Sequence, residues 1–172
     1  MTKSACVIVV MGSRSDLPKM KAASEILKTF NISVRTEILS AHRTPQLLER
    51  EVARWEKMGV TVIIAGAGGA AHLPGMLAAF SKIPVIGVPI GSKALNGLDS
   101  LLSIAQMPRG IPVATVAVDG AYNAGLLAIQ IMGSSDQEIK NQYAKYKKDL
   151  NKKVLKDRKL LSKMGIKKFL GR

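Results

Sequence analysis

Apolar and polar positions fall in alternating blocks along the chain. Ala5–Met11 (ACVIVVM) is an unbroken apolar run rich in β-branched residues, the pattern of a strand buried on both faces. Four more runs of strand character follow at Val34–Leu39, Val60–Ala65, Pro84–Pro89 and Pro112–Val118. Between them, Met20, Ala23, Leu27 and Phe30 recur at helical spacing and predict a helix over residues 16–30. Further helices are predicted from Pro45 to about Met58, through Phe80, within 91–105 and over Ala121–Met132. Thr44 with Pro45 reads as a helix cap followed by Pro at the first helical position. Strands that alternate with helices argue for a parallel sheet covered on both faces, with right-handed crossovers. The expected class is α/β, a three-layer, doubly wound, flavodoxin-like five-stranded sheet in the order 2-1-3-4-5, with a C-terminal helical extension.

The extension begins where the pattern changes. Ser134-Ser135-Asp136 reads as a helix start, with Ser or Asp as cap and Glu138 in the first turn. Ile139, Tyr143, Tyr146, Leu150 and Val154 then follow at steps of three and four, with lysines between. This is an amphipathic helix with one apolar stripe. The chain therefore divides into an α/β domain over 1–134 and a basic amphipathic helical tail over 135–172, expected to pack on a neighbouring subunit.

Charge follows the same division. The formal net charge is +14, with thirteen Lys/Arg against eight Asp/Glu over 1–134 and thirteen against four over 135–172. Most of the excess basicity belongs to the tail and says little about the chemistry of the body. The three Tyr and one Trp show no interleaving with basic residues of the kind a base-stacking surface needs. No nucleic-acid partner is expected on that ground.

Composition excludes other classes. At 172 residues the chain is one domain and a tail. Its 4% aromatic content and 15 glycines point to close backbone packing. A single cysteine, Cys6, removes any disulfide framework and any cysteine-based zinc site. Cys6 is expected to be a small buried hydrophobe, in keeping with a reducing, cytoplasmic setting. Met1-Thr2-Lys3-Ser4 is not read as a secretory leader. Residues 59–81 contain no Asp, Glu, Lys or Arg, a length that could span a bilayer. Their glycines, Pro74 and His72 read instead as strand, loop and helix of a packed core, so no membrane partner is expected.

The candidate chemistry sits at the predicted strand ends, where doubly wound folds bind ligands. Gly12-Ser13-Arg14-Ser15-Asp16 joins strand one to a helix. Exposed amides at a helix start favour an anion, the serine hydroxyls add donors, and Asp16 can accept from sugar hydroxyls. The same residues also read as a turn with a Ser/Asp cap. Ser40-Ala41-His42-Arg43-Thr44-Pro45 follows strand two. Arg43 suits a phosphate, which it can grip with two hydrogen bonds, and an adjacent guanidinium favours a neutral imidazole able to take a proton. Ala65–Gly75 follows strand three and is nearly free of side chains, so a flat ligand can lie against its amides. Tight packing of helix on sheet is the alternative. The chain's two histidines, His42 and His72, both fall in these segments, and no Asp, Glu or Cys adjoins either, which argues against a metal. Arg109, in a Pro/Gly turn, reads as a surface charge or as a residue reaching a ligand across a subunit boundary. Asn123 and Gly125 read as packing and capping residues.

Five segments together carry a resemblance: GSRSD (12–16), SAHRTP (40–45), AGAGGAAHLPGM (65–76), QMPRGIPVATV (106–116) and NAGLLA (123–128). Over residues 5–133 the chain resembles class I N5-carboxyaminoimidazole ribonucleotide mutases of purine biosynthesis. The resemblance implies a reaction between N5-carboxyaminoimidazole ribonucleotide and the isomer carrying the carboxylate on ring carbon C4, with no ATP, metal or organic cofactor. It implies that Ser13, Ser15 and Arg43 hold the phosphate, with Ser40 from the same SAHRTP segment also binding substrate. Asp16 would hold the ribose hydroxyls and His42 would be the general acid/base. A loop with Ala67, Gly68, Ala70, His72 and Leu73 would close on the base and carboxylate. It also implies a homo-octamer with sites at subunit boundaries, and coupling to an ATP-dependent carboxylase that makes the unstable substrate. The lysine-rich residues from about 135 match no family motif.

Three readings compete with the mutase. The nearest is direct carboxylation of aminoimidazole ribonucleotide by carbon dioxide, from which the QMPRGIPVATV segment leads away. Another is a basic nucleic-acid-binding module carried by the tail, which predicts steeply salt-dependent binding. The last is a non-catalytic nucleotide-binding domain, which would not need His42 in its site.

Overall fold

The computed structural model describes residues 6–170. Five parallel strands form one sheet in the order β2-β1-β3-β4-β5. The strands are β1 (Cys6–Met11), β2 (Ser33–Ile38), β3 (Val60–Gly68), β4 (Val85–Ile90) and β5 (Ala114–Thr115). The helices are α1 (Leu17–Thr29), α2 (Pro45–Met58), α3 (Leu73–Phe80), α4 (Leu98–Ala105), α5 (Ala121–Met132) and α6 (Gln137–Leu170).

Strand alternation divides the interior into two cores. Val7, Val9 and Met11 of β1 point to one face with Val62, Ile64, Ile86 and Val88, where they meet Met20, Ala23 and Leu27 of α1 and Ala124, Ala128 and Ile129 of α5. Ile8 and Val10 point to the other, with Ile63, Ala65 and Val85, where they meet Leu48, Val52 and Trp55 of α2, Leu77 of α3 and Ile104 of α4. An apolar run such as CVIVVM is therefore apolar at every position because each face is covered. β2 forms one edge and keeps its polar Ser33, Arg35 and Thr36 exposed and Glu37 half-buried, a guard against pairing with another chain.

Three expectations are corrected. β3 runs to Gly68, so Gly66, Ala67 and Gly68 belong to a strand and not to a loop; they pair with Val88, Pro89 and Ile90. β5 is only two residues long, not Pro112–Val118. Pro112 has no amide to offer a ladder, and beyond Thr115 single bonds remain, from Val116 N to the Gly87 carbonyl and Asp119 N to the Pro89 carbonyl. Cys6 is half-buried at the start of β1, packed beside the second core rather than within it.

Asp136 caps α6, its Oδ1 accepting from the amides of Glu138 (2.9 Å) and Ile139 (3.1 Å). Ile139 joins the core of its own chain, and Tyr143 and Tyr146 pack against it. The Tyr122 hydroxyl lies 3.1 Å from that of Tyr146; this hydrogen bond, with burial, pushes the Tyr146 phenol up to about 12. Farther along, Leu150, Val154 and Leu161 lie exposed. The helix breaks at Gly165, whose φ of 71° and ψ of 167° suit only glycine. No helix among the described residues is long and apolar enough to cross a membrane.

Candidate active site

The ends of β1, β2, β3 and β4 surround a cavity of about 490 Å³. It lies over the β1–β3 boundary, where the strand order reverses and crevices form in doubly wound sheets. The side chains singled out from the sequence, Ser13, Ser15, Asp16, Ser40, His42, Arg43, Ala67, Gly68, Ala70, His72 and Leu73, all line it.

The β1 end is shaped by a capping box. Ser13 caps a short 3-10 turn over Arg14–Asp16; its Oγ accepts from Ser15 N (3.3 Å), while Asp16 Oδ2 accepts from Ser13 N (3.1 Å). Ser15 Oγ lies 3.1 Å from Ser13 Oγ and 3.2 Å from Asp16 Oδ1. The cap reading of this segment holds, and the cap keeps two hydroxyls together at the cavity wall. Asp16 is buried, with 8% of its surface exposed. Burial raises its carboxyl above the usual carboxylate range, and Ser15, the Ser13 amide and Arg43 only partly offset that.

The β2 end is tied by Thr44 and Arg43. Thr44 Oγ1 accepts from Ser40 N (3.0 Å) and donates to the Ser40 carbonyl (3.0 Å), so it closes the turn instead of capping α2. Pro45 begins that helix. Ser40 Oγ accepts from Arg43 N (3.2 Å) and Arg43 Nε (3.1 Å), and Arg43 Nη2 donates to the Gly12 carbonyl (2.9 Å). The guanidinium thus clamps two strand ends.

The β3 end supplies a backbone surface. Gly69 takes φ 63° with open space where a side chain would stand, and Ala71 N donates to its carbonyl (2.8 Å). His72 then opens α3, and Leu73 is buried. His42 Nε2 lies 2.7 Å from His72 Nδ1. The two rings meet edge to face at 81°, with centroids 4.8 Å apart. Sequence spacing gave no sign of this contact between residues thirty positions apart.

The β4 end is a wall that the sequence reading missed: Ile90, Gly91 and Ser92. Gly91 N donates to Asp119 Oδ1 (3.0 Å), and Asp119 Oδ2 pairs with Lys19 Nζ (2.8 Å). Burial works to raise the Asp119 carboxyl, but the Gly91 amide and Lys19 overcome it and hold it below the usual range. Ser92 Oγ donates to Asp99 Oδ1 (2.9 Å). A signal was present: Gly-Ser follows an apolar strand at 91–92 as it does at 12–13. Arg109 and Asn123 do not line the cavity. No cluster of three or more His, Cys, Asp or Glu able to hold a metal occurs among the described residues.

Comparison with known proteins identifies the family. Residues 6–153 match the family model described as AIR carboxylase, so the likeness extends past residue 133 into the first half of α6. The chain is 56% identical to the N5-carboxyaminoimidazole ribonucleotide mutase of Pyrococcus horikoshii, across 94% of this chain and 92% of that protein. It is 51% identical to the protein of the same name in Thermotoga maritima, across 94% and 95%. The crystal structure of Treponema denticola PurE superimposes with a TM-score of 0.84 at 31% identity, covering 94% of this chain and 99% of that one. With its cavity lined by the motif residues and the family match spanning the sheet, the chain belongs to the AIR carboxylase family.

Proposed function

We propose that this protein is an isomerase of purine biosynthesis that interconverts N5-carboxyaminoimidazole ribonucleotide and its C4-carboxy isomer. One observation carries the reading: the residues given roles by the family resemblance line a single cavity whose titratable side chains are Asp16, His42, Arg43 and His72. Ser13, Ser15 and Arg43, with Ser40, serve the phosphate; Asp16 serves the ribose hydroxyls. Ala67, Gly68, Ala70, His72 and Leu73 enclose the base and the carboxylate.

The chemistry needs little else. The N5–carboxyl bond breaks, its electron pair stays on N5, and N5 takes a proton from the general acid His42. Carbon dioxide is held beside the electron-rich ring. A ring electron pair at C4 forms the new carbon–carbon bond, and the C4 proton returns to the imidazole as the C–H pair restores the ring. Proton count and charge balance without a cofactor. Confinement of carbon dioxide supplies proximity, and remote phosphate binding supplies orientation.

The enzyme works in the cytoplasm as a homo-octamer, fed by an ATP-dependent carboxylase. The exposed Leu150, Val154 and Leu161 continue the stripe that Ile139 begins, and we read this distal part of α6 as packing on a neighbouring subunit.

Initial rates test the reaction. One arm supplies fresh N5-carboxyaminoimidazole ribonucleotide without bicarbonate; the other supplies aminoimidazole ribonucleotide with modest bicarbonate. C4-carboxylate is expected to form fast only in the first arm. Fast formation only in the second would make the protein a direct carboxylase. No rate above background in either would end the enzyme reading and direct attention to nucleic-acid binding by the tail.

A further inference from the structure

Both imidazoles of the chain line this cavity. His42 and His72 are the chain's only histidines, and they come from different strand ends. Their nitrogens Nε2 and Nδ1 nevertheless lie within a short hydrogen bond of 2.7 Å. Among the described residues neither ring has another hydrogen-bonding side chain, and no carboxylate orients either one. A histidine that moves protons is ordinarily oriented through its second nitrogen by a carboxylate or carbonyl. Here another imidazole occupies that place.

A bond between two neutral imidazoles has a fixed proton count. If His42 Nε2 carries the bridging hydrogen, His42 Nδ1 is bare and His72 Nε2 carries a hydrogen. If His72 Nδ1 carries it, His42 Nδ1 is protonated and His72 Nε2 is bare. Either way the pair presents an acid at one outer nitrogen and a base at the other. Loss of a proton at one outer nitrogen, transfer of the bridging proton and gain of a proton at the other convert one arrangement into the other. Neither ring is left charged. The charged groups facing the pair are Arg43 from the β2 end and Asp16 from the β1 end; the β3 and β4 ends bring none. The neutral pair does this proton work without leaving an imidazolium in a cavity that already holds the Arg43 guanidinium.

We propose that His72 is the second half of a two-imidazole acid–base unit with His42, and not a substrate contact alone. This rests on the mutase reading and replaces its single imidazole by the pair: with the bridging hydrogen on His72, His42 Nδ1 gives the proton to N5, His72 Nε2 takes the proton from C4, and exchange of the outer protons with solvent resets the pair before the next turnover.

The test uses the full-length assembled enzyme with two variants. His72→Asn keeps a polar atom near the bridge but cannot titrate; His72→Phe removes the bond and keeps a ring. Both are expected to lower kcat at least about tenfold, with KM within about threefold of the parent. In parallel, NMR of protein carrying histidine labelled at Cε1 follows the two rings directly. In the parent protein both signals are expected to move together through one pH interval as the pair gains a proton. In His72→Asn, His42 is expected to titrate alone. Parental kcat in His72→Asn, or a rise confined to KM, overturns the proposal; so do two independent titrations in the parent protein. If the parent fails to turn over the N5-carboxy substrate, the mutase reading falls by itself, and the NMR arm still decides whether the two rings share a proton.

Discussion

His42 and Asp16 show how single residues set this site. His42→Asn removes the titratable nitrogen while leaving Arg43 and the serines in place, so turnover is expected to fall by about 10²–10⁴-fold. Nucleotide affinity, measured by calorimetry, is expected to change by less than about threefold, and an equal loss of binding would make His42 structural. Asp16 makes a prediction about pH. Its burial raises the carboxyl in the folded chain, so the folded state binds that proton more readily than the unfolded state. The stabilisation is full below the ordinary aspartate range and is lost as pH rises through the raised folded value. Against Asp16→Asn, which carries no such proton, the parent protein should lose relative stability as pH rises through and above the ordinary aspartate range. Urea denaturation across that range checks it; a constant difference would contradict the burial.

At the level of elements, the sheet's first face depends on α1 and α5 approaching closely. Gly125 permits this. A β-carbon there would collide with Ile26 Cγ2 and stand 3.1 Å from the Ala23 carbonyl oxygen. The isoleucine can turn, but backbone of α1 cannot move without shifting the helix. Gly125→Ala is expected to cost about 1–3 kcal/mol by chemical denaturation. The same elements show where sequence reading works. CVIVVM is legible because every residue of a doubly covered strand must be apolar. AGAG is not legible as strand, because Gly and Ala carry little β-preference; pairing with Val88, Pro89 and Ile90 decides it. β5 is over-read for the opposite reason, since an apolar stretch with β-branched residues lies along β4 but shares few ladder bonds with it.

On the scale of the whole molecule, α6 has two roles. Its first turns cover the core through Ile139, Tyr143 and Tyr146, and its distal part exposes an apolar stripe among lysines. A chain ending at Leu150 is expected to keep its monomer stability within about 1 kcal/mol and to lose assembly on size-exclusion light scattering. A chain ending at Ser135 uncovers the core and is expected to lose about 2–5 kcal/mol. Unchanged assembly of the shorter tail would remove the distal helix from the subunit interface.

What the sequence determined by itself is local: which runs are strands and helices, their alternation, and the placing of GSRSD, SAHRTP and AGAGGAAH at strand ends. These follow from the period of apolar positions and from turn chemistry, which neighbouring residues carry among themselves. The tertiary structure alone decided which ends meet. It set the Arg43 clamp on Gly12, the β4 wall at Gly91 and Ser92, the burial that raises the Asp16 carboxyl and the contact between His42 and His72. Each of these depends on distance and burial between segments remote in the chain, which become fixed only when β1 and β3 pair side by side and bring their loops together.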